Sequence, residues 1–146
     1  MRNFIVFFII LILPALVWAR PVYVGSKVCQ ECHEFEYKNF MRYAKKARSY
    51  EKILRLKKGL KRDEFQKCLQ CHTTGYGRAG GFVSVEKTPD LRYPGCEVCH
   101  GPGSKHIKSQ SSRDIKRPTL KDCAACHIHE RIEAFEYRPM LYGGAH

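Results

Sequence analysis

A mainly α-helical, loop-rich fold is what this sequence predicts, and three observations predict it. All eight cysteines fall into Cys-x-x-Cys-His units, a spacing that puts both thiols on one face of a helical turn. From Val28 to about Leu56, apolar residues recur at helical intervals. Beyond the first twenty residues long aliphatic runs are missing, while 11 Gly and 7 Pro punctuate the chain. Side chains alone therefore offer little core. The 146 residues suit one domain or two small ones, and 44% hydrophobic content excludes a long disordered tail or a polytopic membrane protein.

The first segment is expected to be a targeting signal, not part of the fold. Arg2 precedes an apolar run from Phe4 to Val17, interrupted only by Pro14, and Val17-Trp18-Ala19 resembles a signal-peptidase site. Cleavage is expected between Ala19 and Arg20. An uncleaved anchor is the alternative, but the run is short for a span. Residues 1–19 thus read as signal peptide and residues 20–146 as one functional domain placed outside the cytoplasm.

The cysteines decide the chemistry. They stand as Cys29-Gln30-Glu31-Cys32-His33, Cys68-Leu69-Gln70-Cys71-His72, Cys96-Glu97-Val98-Cys99-His100 and Cys123-Ala124-Ala125-Cys126-His127. A disulfide framework does not ask for His after every second Cys. Zinc ribbons need maintained thiolates, which an oxidising compartment disfavours. A redox Cys-x-x-Cys is expected once per βαβ unit, and no such alternation is visible. The remaining reading is covalent haem: the two thiols bond the vinyl groups of one porphyrin, and the following imidazole bonds its iron. Four motifs imply four haem c groups, with Cys29, Cys32, Cys68, Cys71, Cys96, Cys99, Cys123 and Cys126 as thioether donors. His33, His72, His100 and His127 are the proximal ligands. A compact chain of this size has a radius of gyration of roughly 14 Å, so neighbouring rings lie within electron-hopping range. The haems must also form much of the core, and the apo chain is not expected to fold.

The rest of the chain is read around these motifs. Val28 to about Leu56 is expected to be the longest helix, with Phe35, Phe40, Tyr43, Ala47, Tyr50 and Leu54 as its apolar stripe. Gly59 ends it, and Asp63 caps a short helix bearing Cys68 and Cys71. Gly75 to Gly81 forms a tight loop without the Gly-Lys-Ser/Thr of a phosphate cradle. Phe82 to Val85 is expected to be a short strand, and Lys105 to Pro118 an exposed loop. Thr119 with Asp122 opens the last haem helix as a capping box, and Arg131 to Tyr142 forms a final helix broken at Pro139.

At these residues the chain resembles the tetrahaem cytochrome c-554/c-prime family of multihaem cytochromes. The resemblance rests on Tyr23-Val24-Gly25, on Cys71 to Gly77 running to Gly80-Gly81-Phe82, and on Gly95 to Gly103 with downstream His106. It implies a periplasmic electron carrier, mainly helical, with closely packed haem pairs, three bis-histidine haems and one five-coordinate haem. A hydroxylamine oxidoreductase is the usual donor. It further implies that His106 serves the haem of His127, that His146 serves the haem of His33, and that the haem of His72 has an open face.

Sixth ligands are scarce, because only His106, His129 and His146 remain. The family's partner for the haem of His100 is a His where this chain has Lys45. Lys45 as a desolvated neutral amine, Met41 as a thioether, His129, a neighbouring subunit's His and a vacant site are the open alternatives. No catalytic residue is assigned.

The net charge of +12 outlasts the haem propionates by simple counting. It suits steering toward an acidic redox partner or an anionic membrane surface; nucleic acid does not suit an exported haem chain. The functional expectation is electron transfer without bond chemistry. A small-molecule reductase (of nitric oxide, for example) at the haem of His72, and a cytochrome-filament subunit, are the alternatives.

Overall fold

The computed structural model describes residues 20–127. Among them the elements are α1 (Ser26–Cys29), α2 (Glu34–Tyr43), α3 (Ser49–Leu54), α4 (Arg62–His72), α5 (Cys96–His100), α6 (Ser104–Ser109) and α7 (Leu120–Ala124), joined by short 3₁₀ turns. The fold is mainly α and loop-rich, as expected. The expected signal segment and the helix from Arg131 to Tyr142 lie outside the described residues.

The single helix expected over Val28–Leu56 is instead divided into α1, α2, a 3₁₀ turn (Lys45–Arg48) and α3. Ala44 leaves helical geometry, with φ −75° and ψ 109°. The reason is that the apolar stripe serves two clusters. Phe40, Ala44 and Ala47 form one, with Met41 against it. Tyr50 and Ile53 join Leu69, Phe82 and Leu91 in the other. A straight helix presents its stripe along one line; the turn after Ala44 redirects the second half onto α4, with which α3 packs.

α4 forms where expected, but Asp63 lies in its first turn rather than at its cap. The Glu64 carboxylate accepts from the N–H of Lys61 at 2.8 Å, satisfying one of the donors that a helix start leaves open. Thr119 and Asp122 do form the expected N-terminal box of α7: Asp122 accepts from the Thr119 N–H at 2.8 Å and its hydroxyl at 3.0 Å.

The strand expected at Phe82–Val85 is absent, and no strand occurs among the described residues. Phe82 donates a backbone bond to Thr74 at 2.9 Å, and Val83 bonds the Thr88 hydroxyl instead of a partner strand. The expected loop from Lys105 is also corrected, since α6 and a 3₁₀ turn at Ser112–Asp114 occupy much of it. The Gly75–Gly81 loop is as tight as read. Gly75 has φ +70°, and a Cβ there would meet the Tyr23 ring at 2.7 Å, so only glycine fits.

Thr74 ties the second motif to the third. It is 2% exposed; its hydroxyl donates to the Tyr93 carbonyl at 2.7 Å and accepts from the Gly95 N–H at 2.9 Å. Gly95 is the N-cap of α5.

Candidate haem-binding centre

Each Cys-x-x-Cys-His unit is presented by a short helix or the end of one. α1 ends at Cys29, α4 ends on His72, α5 is the third motif itself, and α7 carries Cys123. In the first and fourth motifs the His N–H donates to the carbonyl of the first cysteine, at 2.9 Å for His33 and 3.0 Å for His127. That closes one turn and puts thiols and imidazole on one local frame.

The motifs are brought together in pairs. The Cys29 and Cys96 side chains meet, so the first motif meets the third; Cys126 meets Cys71, so the fourth meets the second. Cys99 lies close to Cys123, linking the two pairs. α1 packs on α5, and α5 on α7. The shared hydrogen bond with Cys96, then burial, pushes the Cys29 thiol up, and the same bond pulls Cys96 down. Burial first, then the Cys71 contact, pushes Cys126 up to about 12. None of the eight cysteines forms a disulfide.

The imidazoles are prepared as metal ligands. His72 Nδ1 bonds the Ser49 carbonyl at 3.1 Å, and His100 Nδ1 bonds the Lys116 carbonyl at 3.1 Å. A carbonyl only accepts, so Nδ1 carries the proton and Nε2 keeps its lone pair for iron. His106 has the same arrangement, with Nδ1 2.9 Å from the Ser111 carbonyl. Burial, then the charge of Lys46, holds His127 below the ordinary imidazole range, which favours the neutral ligating form.

The rings of His33 and His106 face each other with centroids 6.2 Å apart and planes inclined by 27°. The donor set fits haem c. The sequence profile of the family described as cytochrome c554 and c-prime matches residues 28–101, just over half of the chain. The chain belongs to this family of c-type cytochromes. Haem c is therefore the cofactor class. The matched span holds three of the four motifs; the fourth lies beyond it.

Cytochrome c-554 of Nitrosomonas europaea is 29% identical over 138 residues, covering 72% of this chain and 57% of that protein. The chain thus spans little more than half the length of this relative. The solved structure of reduced cytochrome c554 from Nitrosomonas europaea superposes with a TM-score of 0.62 at 23% identity, over 86% of this chain and 85% of that one. The likeness establishes a shared, mainly helical fold.

Within this fold the candidate sixth ligands divide. The resemblance implied His106 for the haem of His127, and the His106 ring also lies beside that of His33. In α5, Glu97 binds backbone on both sides, linking the approach to α1 with the start of α6. His129 and His146 lie outside the described residues. Lys45 is exposed, whereas a neutral amine ligand needs desolvation. Met41 packs against Phe40, Ala44 and Ala47. The charge facing the fourth motif belongs instead to Lys46, half-buried with Nζ 5.4 Å from the Phe40 ring centre and close to Cys123 and His127. Sequence reading missed Lys46, and it missed Glu97; a carboxylate between two haem cysteines was the available signal for the latter.

Proposed function

We propose that the chain is a periplasmic electron-transfer protein carrying single electrons through four covalently attached haems. Residues 1–19 act as its export signal and residues 20–146 as one carrier domain. The observation that carries this reading is the pairing of the motifs, first with third and second with fourth, with the pairs joined at Cys99 and Cys123. When bound, haem c supplies reversible one-electron chemistry and the protein tunes it. The eight cysteines hold the porphyrins, while His33, His72, His100 and His127 supply the proximal nitrogens. The family resemblance suggests His106 as a second imidazole for the haem of His127. Backbone carbonyls on the Nδ1 atoms of His72, His100 and His106 orient the rings and raise their basicity, which favours ferric iron.

A redox protein with an acidic surface is the partner this charge distribution suits. A multihaem donor resembling hydroxylamine oxidoreductase is the specific form the family resemblance suggests. Between Arg42 and Arg62, ten of the 21 residues are Lys or Arg and Glu51 is the only acid. Tyr43, Leu54 and Leu56 are exposed among them, giving an apolar contact inside a basic rim. This segment also contains Ser49, whose carbonyl receives the His72 ring.

Intact-mass measurement of the exported protein, with low-temperature EPR and a potentiometric titration, tests the reading. Four added haems and four one-electron steps are expected. A bare polypeptide mass, or fewer haems than motifs, overturns it.

A further inference from the structure

The helices that carry the first and third motifs meet where they begin. Ser26 opens α1 and is 3% exposed, and Gly95 is the buried N-cap of α5. The Ser26 hydroxyl accepts from the Cys96 N–H at 3.0 Å, satisfying a donor that the start of α5 leaves open. Gly95 has φ −96° and ψ −166°, extended backbone that any residue adopts, so conformation does not demand glycine here. Space demands it. A Cβ at Gly95 would run into the Ser26 Oγ and stand 3.3 Å from the Ser26 Cβ, while the Thr74 hydroxyl beyond, at 3.5 Å, is in ordinary contact. Both sides of the junction are anchored. The Thr74 hydroxyl holds the Gly95 N–H at 2.9 Å. The buried Glu97 carboxylate holds the N–H groups of Val24 at 3.0 and 3.1 Å and of Gly25 at 2.8 Å, just before Ser26. Directly after the junction come Cys29 and Cys96, whose side chains meet.

We propose that Ser26 and Gly95 are positioning residues for the haem pair of the first and third motifs: their contact sets the separation of the two porphyrins and so the electronic coupling between them. This rests on the four-haem reading above. Each thioether sulfur carries one edge of its own porphyrin, so the approach of Cys29 to Cys96 governs the approach of the rings. A side chain added at Gly95 finds no free volume in a close-packed junction. Thr74 holds the start of α5, so α1 has to ride outward and take Cys29 with it. Removing the Ser26 side chain takes away both atoms that the new Cβ would meet, and α1 can return.

The test uses the exported holoprotein, with intact mass to count haems and circular dichroism in the Soret band, where neighbouring porphyrins give a couplet that grows as they approach. The parent is expected to carry four haems and to show the couplet. Gly95→Ala is expected to keep all four haems and lose part of the couplet amplitude. Gly95→Ala combined with Ser26→Gly is expected to regain it. A junction that served packing alone would lower the unfolding midpoint of haem-complete Gly95→Ala and leave its couplet at parental strength, which overturns the proposal. A double variant whose couplet stays as weak as that of Gly95→Ala overturns it too, as does a haem-complete parent without a couplet. Where Gly95→Ala does not load four haems, Ser26→Thr decides, because it keeps the hydroxyl and adds one methyl at the same junction. A smaller loss of couplet is expected there, and none at all overturns the positioning role. A parent with fewer than four haems instead brings down the four-haem reading, and the proposal with it.

Discussion

His100 and Lys116 bond each other twice: the His100 ring donates from Nδ1 to the Lys116 carbonyl at 3.1 Å, and the Lys116 N–H donates to the His100 carbonyl at 3.0 Å. The Lys116 side chain then pairs with Asp122 in the first turn of α7. Through this one residue the histidine of the third motif is coupled to the helix that bears Cys123. The arrangement combines an orienting bond to a ligand ring with a charge-assisted bond at a helix start.

That coupling has a pH signature. The Lys116 hydrogen bond, then the Thr119 backbone N–H, holds Asp122 down to about 2 from its ordinary 3.8. Between these values the unfolded chain binds the proton and the folded chain does not, so the pair's contribution is complete above about pH 4 and is lost as pH falls through 2. Its partner Lys116 is exposed, so the effect is small and weakened by salt. Unfolding midpoints of the parent should therefore fall more steeply from pH 4 to 2 than those of Asp122→Asn, and 1 M salt should bring the two curves together. Parallel curves at low salt would disprove the coupling.

Thr74→Val keeps the volume of a buried side chain but removes the hydroxyl shared by Tyr93 and Gly95. A carbonyl and an N–H are then left unpaired, at a cost of about 2 kcal/mol. Denaturant unfolding of the holoprotein should show a lower midpoint with an unchanged slope. A variant as stable as the parent would mean that water replaces the hydroxyl.

The basic segment makes a kinetic prediction. Lys52 and Lys58 are both exposed. Reversing both to Glu should slow electron transfer to an acidic redox protein by about tenfold at low ionic strength. Near 0.5 M salt, where screening removes steering, the two proteins should react alike. Equal slowing with a neutral small-molecule oxidant would instead implicate the haems, and unchanged rates with the acidic protein would remove this face as the docking surface.

The fourth expectation is that the chain does not fold without haem. The buried apolar residues among those described are Phe40, Ala44, Ala47, Tyr50, Ile53, Leu69, Phe82 and Leu91. They form two small, separate clusters, too little to offset the conformational entropy of the chain. A chain with all eight cysteines changed to Ala should show no cooperative thermal transition by circular dichroism. A sharp transition would show that the polypeptide carries its own core.

The haem motifs, the α-rich character and the Thr119–Asp122 box were legible in the sequence because each depends on residues within a few positions of one another. Thioether attachment needs only Cys-x-x-Cys-His on one turn, and a cap needs only its own first turn. The division of the expected Val28–Leu56 helix was not legible, because a stripe at intervals of three to five residues reads the same whether it serves one cluster or two. The missing strand at Phe82–Val85 had the same cause: its local pattern suited pairing, but Thr88 and Thr74 took up its backbone donors. Nor could spacing show which stretches meet across the chain: Glu97 reaches backbone 72 residues before it and six after it. Local bonding sets the chemistry this chain can bear, whereas which motif meets which is decided by long-range contacts, the buried Glu97 carboxylate among them.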